Sequence, residues 1–303
     1  MTAAALEEAR FRSMGTDVRV VVAGDAGPAG AAVRGLFVHW EATLSRFLPA
    51  SDVARTSVGA GGFVRVSALA VRVVAAACAA ARETAGLYDP CLGRAMRAIG
   101  YDRSWRERGN WADGPRDAGS PGGAWRGVET DAGGRRIRLP AGAELDLGGI
   151  AKGMAVDEAV AMLTQRGVRA CLVSAGGDLA VAGTPPGQDG WDLALPDAAG
   201  LHIRLHEGAV ATSGTTRRAW TRGGARVHHV IDPRTGMPTA SGLRGVSVIA
   251  AGCAHAEVAA TAALVGGARE GRRFLERRGF AALLVHDDGH REPVGAWPRG
   301  AAA

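Results

Sequence analysis

Short apolar runs and helical stretches are interleaved along this chain without strict alternation, and that order excludes most architectures of its size. Runs that read as strands fall at residues 11–22, 136–139, 144–147, 170–174, 178–181, 191–195, 202–205, 209–212, 228–231, 245–250, 281–285 and 291–297. Helical periodicity covers residues 27–47, 67–84 (with Ser67 as N-cap), 92–99, 149–165, 253–265 and 268–278. A doubly wound parallel sheet needs a helix between successive strands. Here a series of strands between residues 170 and 231 has none, so the chain reads as α+β, with mixed sheets and packed helices. Its 303 residues suffice for one compact domain with a sizeable core. Residues 101–126, crowded with Gly, Pro, Arg and Trp, read as a loop or insert within that domain.

Charge narrows the function. The net charge is +6, yet the basic residues are Arg scattered among acids, with a single Lys at position 152. No basic block and few aromatics accompany them, which argues against nucleic acid as a partner. A lone Lys among so many Arg marks a position worth inspecting, because the two side chains are not interchangeable at tight sites. Cys78, Cys91, Cys171 and Cys253 are far apart and form no C-x-x-C. They read as buried free thiols in a reducing compartment. The first fifteen residues lack the apolar core of a signal peptide, and no run is long enough to span a membrane. The expected location is the cytoplasm.

Asp146–Gly153 reads D-L-G-G-I-A-K-G. A strand entering two glycines and then a helix offers close backbone approach, unpaired N–H groups and a positive dipole end. Lys152 in the first turn adds charge beside that spot. The segment is neither a Walker A loop nor a Rossmann fingerprint, and an ordinary strand–turn–helix is the competing reading. A second segment joins A-T-S-G at Ala211–Gly214 to H-H-V-I-D-P-R-T-G-M-P at His228–Pro238. Its two histidines, at a strand end, are expected on opposite faces, so one can serve as a general base near an Asp. In the third segment, Glu257 and Thr261 are spaced i, i+4 and share a helix face. Both are hard oxygen donors that suit Mg²⁺. The H-A-E at His255–Glu257 lacks the P-C-x-x-C partner of a zinc deaminase.

Taken in order, these segments resemble the ApbE family, the FAD:protein FMN transferases. The likeness runs through M-G-T (Met14–Thr16), S-R-F (Ser45–Phe47), G-x-Y-D-P (Gly86–Pro90), D-L-G-G-I-A-K-G, G-G-D (Gly176–Asp178), A-T-S-G, the His228–Pro238 segment and the Glu257/Thr261 helix. It implies a Mg²⁺-dependent enzyme that splits FAD, joins FMN to a Thr hydroxyl of an acceptor flavoprotein and releases AMP. It also implies roles for individual residues. Gly149, through its carbonyl, Glu257 and Thr261 would hold the metal. Lys152, His229 and Asp232 would serve catalysis, with His229 receiving the Thr proton. Met14, Tyr88, Asp146, Gly148, Gly149, Lys152, Gly176, Gly177, Asp178, Ser213 and His229 would contact FAD. A FAD pyrophosphatase, with water as acceptor, and a non-catalytic FAD-binding protein are the rivals.

The sequence departs from the family pattern in three places. Glu257 stands where the family usually has Asp, and Mg²⁺ demands near-octahedral geometry. The helix must therefore sit slightly farther back, or the ligand set differs. Ser174 replaces the Asn of N-x-G-G-D. Thr215, Thr216, Arg217 and Arg218 follow A-T-S-G, where an aromatic and an acid are common.

Overall fold

The computed structural model describes residues 5–105, 121–196, 198 and 200–298. In chain order it contains β1 (Leu6–Ser13), β2 (Thr16–Ala23), α1 (Ala26–Leu44), α2 (Asp52–Val58), β3 (Phe63–Arg65), α3 (Ala68–Glu83) and α4 (Gly93–Ala98). A 3-10 turn at Ala124–Gly127 precedes β4 (Glu129–Asp131), β5 (Arg136–Arg138) and α5 (Ala151–Gln165). Then come β6 (Cys171–Ala175), β7 (Asp178–Ala182), β8 (Trp191–Ala194), β9 (His202–Leu205), β10 (Gly208–Gly214), β11 (Ala219–Arg222) and β12 (Ala225–His228). The chain closes with β13 (Ile231–Asp232), β14 (Met237–Pro238), β15 (Leu243–Ala250), α6 (Cys253–Arg277), β16 (Ala281–His286) and β17 (Arg291–Val294).

These elements gather into two compact units. The first comprises Met1–His39, Ile150–Gly214 and Gly242–Ala303, and the second Trp40–Gly149 and Thr215–Ser241. The first is built on an eight-stranded sheet of order β1-β2-β6-β7-β10-β15-β16-β17. Every neighbouring pair in it is antiparallel, so the α+β expectation holds. Helix α5 packs on β6 and β7, and α6 packs on β10 and β15. On the other face an apolar cluster joins Val21, Leu172, Val181, Val210 and Leu283 to Trp191, Leu193 and Ile203 of the β8–β9 hairpin. With both faces covered, consecutive residues such as Val20, Val21 and Val22 are all buried, which explains unbroken apolar runs in an antiparallel sheet.

The second unit contains the three-stranded sheet β3-β5-β4 and the hairpins β11-β12 and β13-β14. Helix α3 carries the expected cap, with the Ala70 N–H donating to Ser67 Oγ at 3.1 Å. Helix α4 closes a small core of Leu92, Ala95, Ile99 and Ile231.

Several boundaries differ from expectation for physical reasons. Residues 11–22 are not one strand but the facing ends of the β1–β2 hairpin. Its turn is Met14–Gly15, with φ of 51° and 70°, and a Met at positive φ gives no turn signal. Residues 144–147 form no strand. Their backbone instead bonds outward, Gly93 N–H to the Glu144 carbonyl at 3.0 Å and Asp146 N–H to that of Pro90 at 2.8 Å. The stretch 228–231 is divided, because β12 ends at His228 and β13 starts at Ile231. His229 therefore sits in a turn, where strand periodicity does not set its direction. The helices expected at 253–265 and 268–278 run together as α6, interrupted at Gly267 (φ 71°, ψ −174°). Only a glycine adopts that conformation without strain. Of the expected insert at 101–126, residues 106–120 lie outside the described residues, and Trp125 is buried in the 3-10 turn. All four cysteines are free and buried. Among the described residues no helix is long and apolar enough to cross a membrane.

Gly153 sets the approach of α5 to α6. A methyl group added there would lie 2.7 Å from the Ala254 N and Cα, and backbone cannot yield as a side chain can. Gly35 in α1 has open space instead. We expect Gly153→Ala to cost about 1–3 kcal/mol through overpacking. Gly35→Ala is expected to gain about 0.5–1 kcal/mol from helix propensity. Urea denaturation of the two variants beside the parent checks both signs.

Candidate active site

The first unit brings five of the expected residues, Lys152, Asp178, Ser213, Glu257 and Thr261, together with Gly153. Lys152 and Gly153 are the second and third residues of α5, Asp178 opens β7, Ser213 lies near the end of β10, and Glu257 and Thr261 are one turn apart on α6. The Lys152 Nζ lies 3.1 Å from Asp178 Oδ2 and also contacts Glu257 Oε1. The Gly153 N–H donates to Glu257 Oε2 at 2.8 Å. Side-chain exposure is 15% for Lys152, 5% for Asp178 and 3% for Glu257, so this is a buried cluster of two carboxylates and one ammonium. Burial pushes the Glu257 carboxyl up to about 7; Lys152 opposes the rise and Asp178 adds to it.

Beside this cluster the Ser213 and Thr261 hydroxyls are 2.8 Å apart; Thr212, one position along β10 and so directed to the other face of the sheet, pairs with Ser247 of β15 at 2.8 Å. Glu257 is thus directed inward rather than to water. The donors are all oxygens of hard character, and with both carboxylates ionised the charged cluster carries an excess of one negative charge. That chemistry fits Mg²⁺. Among the described residues no group of three or more His, Cys, Asp or Glu is arranged to hold a metal, so hydroxyl or carbonyl oxygens must complete any cation site here.

The two helices cap each other. Their N-cap residues, Ile150 and Gly252, offer no polar side chain. Asp157 of α5 accepts from the Cys253 N–H at 2.7 Å and the Ala254 N–H at 3.0 Å. Glu257 of α6 returns the bond to Gly153. Each carboxylate satisfies orphan donors of the other helix and lies at its positive dipole end. Burial raises the Asp157 pKa, and those N–H bonds oppose the rise. Sequence reading missed Asp157, since its partners lie 96 and 97 residues away.

Three other expected FAD-binding residues in this unit have clear backbone tasks. Met14 occupies the β1–β2 turn. Gly176, at φ 74°, and Gly177 form the β6–β7 turn. A methyl at Gly176 would meet Thr16 Oγ1 at 2.6 Å, and one at Gly177 the Thr212 carbonyl at 3.0 Å.

The second unit holds the remaining expected residues. Asp146 Oδ1 accepts from the Gly148 N–H at 2.8 Å, and Oδ2 pairs with Arg46 Nε at 2.7 Å. The Arg46 guanidinium also donates to the Tyr101 carbonyl at 2.6 Å and stacks over the Phe47 and Tyr101 rings at 4.1 and 4.8 Å. S-R-F and D-L-G-G are therefore two halves of one ion pair, a link that neither motif signals alone. Gly148 and Gly149 lie in the turn that follows. Tyr88 is buried. Its neighbour Asp89 accepts from the Cys91 N–H at 2.7 Å and the Gly123 N–H at 2.5 Å.

His228 Nε2 lies 3.1 Å from the Thr239 carbonyl, and its Nδ1 accepts from the Val230 N–H at 3.3 Å. That pairing assigns His228 to holding the turn. His229 follows it, half-buried. The Asp232 carboxylate is engaged by the Arg234 guanidinium at 2.7 Å and the Arg234 N–H at 2.9 Å, a turn-stabilising arrangement.

An antiparallel α+β scaffold thus carries, at a helix start, a lysine clamped between two buried carboxylates. Residues 14–284 match the model of the ApbE family, and the chain belongs to that family. It is 35% identical over 212 residues to a FAD:protein FMN transferase of Rhodobacter capsulatus, covering 67% of this chain and 40% of that protein. Against the Treponema pallidum protein of the same description it is 34% identical over 163 residues, covering 49% and 45%. The matched stretches thus span less than half of these relatives' own length. The solved ApbE protein of Thermotoga maritima superposes with a TM-score of 0.84 at 28% identity, covering 95% of this chain and 97% of that one. The apo flavinyl transferase ApbE of Pseudomonas stutzeri gives 0.81 at 22%, covering 97% of each, a likeness of fold.

Arg46 and Asp146 are only 12% and 13% exposed. Truncating one partner of a buried pair leaves the other uncompensated. Arg46→Ala is expected to cost about 3 kcal/mol, and Arg46→Lys to recover less than half of it, because Lys lacks the planar fork that pairs and stacks at once. The shift in urea midpoint, followed by tryptophan fluorescence, measures both.

Proposed function

We propose that this chain transfers the FMN half of FAD to a threonine hydroxyl of an acceptor flavoprotein and releases AMP, with Mg²⁺ as cofactor. The observation that carries the reading is the Lys152–Asp178–Glu257 cluster with its neighbouring hydroxyls, in a chain of the ApbE family. In this reading Glu257 and Thr261 hold the metal. Bound Mg²⁺ supplies neutralisation of the pyrophosphate charge, the main requirement of phosphoryl transfer. Lys152, in the first turn of α5, adds a compact positive charge for the phosphate leaving with AMP. The threonine oxygen forms its bond to the FMN phosphorus as the bond to AMP breaks, and His229 is our candidate for taking the hydroxyl proton. FAD and a flavoprotein are the partners of this reading. The four free, buried thiols support a reducing compartment, and we propose the cytoplasm.

Incubation with FAD, Mg²⁺ and a flavoprotein bearing an exposed threonine tests the reading. We expect covalent flavin on the acceptor by in-gel fluorescence and mass spectrometry. Glu257→Ala is expected to abolish it, and Lys152→Arg to lower the rate by about tenfold or more, ~1.4 kcal/mol in barrier. Mg²⁺-dependent AMP release with no acceptor labelled identifies a pyrophosphatase instead. Tight FAD binding without AMP release under any divalent metal identifies a binding protein. Normal turnover by Lys152→Arg removes the special role given to the lysine.

A further inference from the structure

We propose that Lys152 and a divalent cation are alternative occupants of the Asp178–Glu257 carboxylate pair. Lys152 neutralises the pair in the metal-free protein, and cation binding releases its ammonium towards the start of α5. The inference rests on the Mg²⁺ reading above and adds an exchange step to it.

The charges motivate the exchange. Two carboxylates at 5% and 3% exposure face one ammonium, for a sum of −1 with both carboxylates ionised. Without the ammonium the sum is −2 in a site where unpaired charge is costly. A divalent cation in its place brings the sum to zero. Keeping the lysine as well would leave +1, so each cation disfavours the other. The geometry permits the exchange. Lys152 is the most exposed of the three, at 15%, and its ammonium is a point charge on a flexible stem that can leave without dismantling a planar fork. Glu257 Oε2 stays anchored on the Gly153 N–H at 2.8 Å, so the carboxylate keeps its place while Oε1 changes partner. The Ser213–Thr261 hydroxyl pair supplies further hard oxygens. A released Lys152 remains in the first turn of α5, where the helix dipole also favours an anion. Cation binding thereby prepares the phosphate side of the same site.

Mn²⁺ binding, followed by electron paramagnetic resonance, and melting temperature in EDTA test the exchange. Lys152→Met is expected to melt below the parent in EDTA, to regain the loss when Mn²⁺ is added, and to bind Mn²⁺ about tenfold tighter or more. Asp178→Asn guards against misfolding of that variant. It leaves a neutral lysine–glutamate pair, so it is expected to melt near the parent in EDTA and to bind Mn²⁺ about tenfold more weakly. If Lys152→Met binds Mn²⁺ no tighter than a parent that does bind it, the exchange is wrong while the metal reading stands. Equal Mn²⁺ affinity in Asp178→Asn and the parent also overturns the exchange. Absence of Mn²⁺ binding in both the parent and Lys152→Met overturns the exchange and the metal reading together.

Discussion

The reciprocal capping of α5 and α6 is the interaction on which the first unit's site depends. Each helix begins at a residue that cannot cap it, Ile150 or Gly252, and each borrows a carboxylate from the other. A helix start buried without such partners leaves orphan N–H groups at about 1–3 kcal/mol apiece. Satisfying those donors fixes where α6 begins relative to α5, and hence where Glu257 and Thr261 stand relative to Lys152. In the proposed function the bonds that hold the scaffold also aim the chemistry, since Glu257 belongs to both.

This double duty revises the simplest view of D-L-G-G-I-A-K-G. A helix N-terminus preceded by glycines invites an anion, but one of its N–H groups, that of Gly153, is already spent on Glu257. The third glycine serves packing, since any side chain there meets the backbone of Ala254. In the proposed function, what remains for a ligand is the dipole, the hydroxyl pair and, once a cation displaces it from the carboxylates, the lysine. The positive end of α5 is therefore shared between an internal carboxylate and whatever binds.

Much of the framework was legible because it follows local rules. The Ser67 cap, the helices at 27–47, 253–265 and 268–278 and most strands after residue 170 announce themselves in the sequence pattern. The α+β class follows from a run of strands with no helix between them. The i, i+4 spacing of Glu257 and Thr261 correctly placed both on one helix. What was hidden depends on distant partners. Asp157 looks like any surface acid of a helix until the start of α6 arrives against it. Arg46 is an unremarked member of S-R-F until Asp146 meets it 100 residues later, and the pairing of Asp232 with Arg234 is not signalled by the turn sequence. The Met14–Gly15 turn was missed for a local reason, since nothing about Met predicts a positive φ.

The same geometry accounts for the glutamate at position 257. Its carboxylate reaches across to Gly153 N and Lys152 Nζ on the neighbouring helix. An aspartate, shorter by one carbon–carbon bond of about 1.5 Å, would make those contacts from the same backbone position only if α5 and α6 moved closer. That approach is closed, because Gly153 is already packed so tightly on Ala254 that even a methyl group does not fit. The longer side chain is therefore what the helix spacing requires for one residue to cap α5 and hold Lys152 together. Glycine at 153 and glutamate at 257 form one structural choice, in which the first sets the distance and the second spans it.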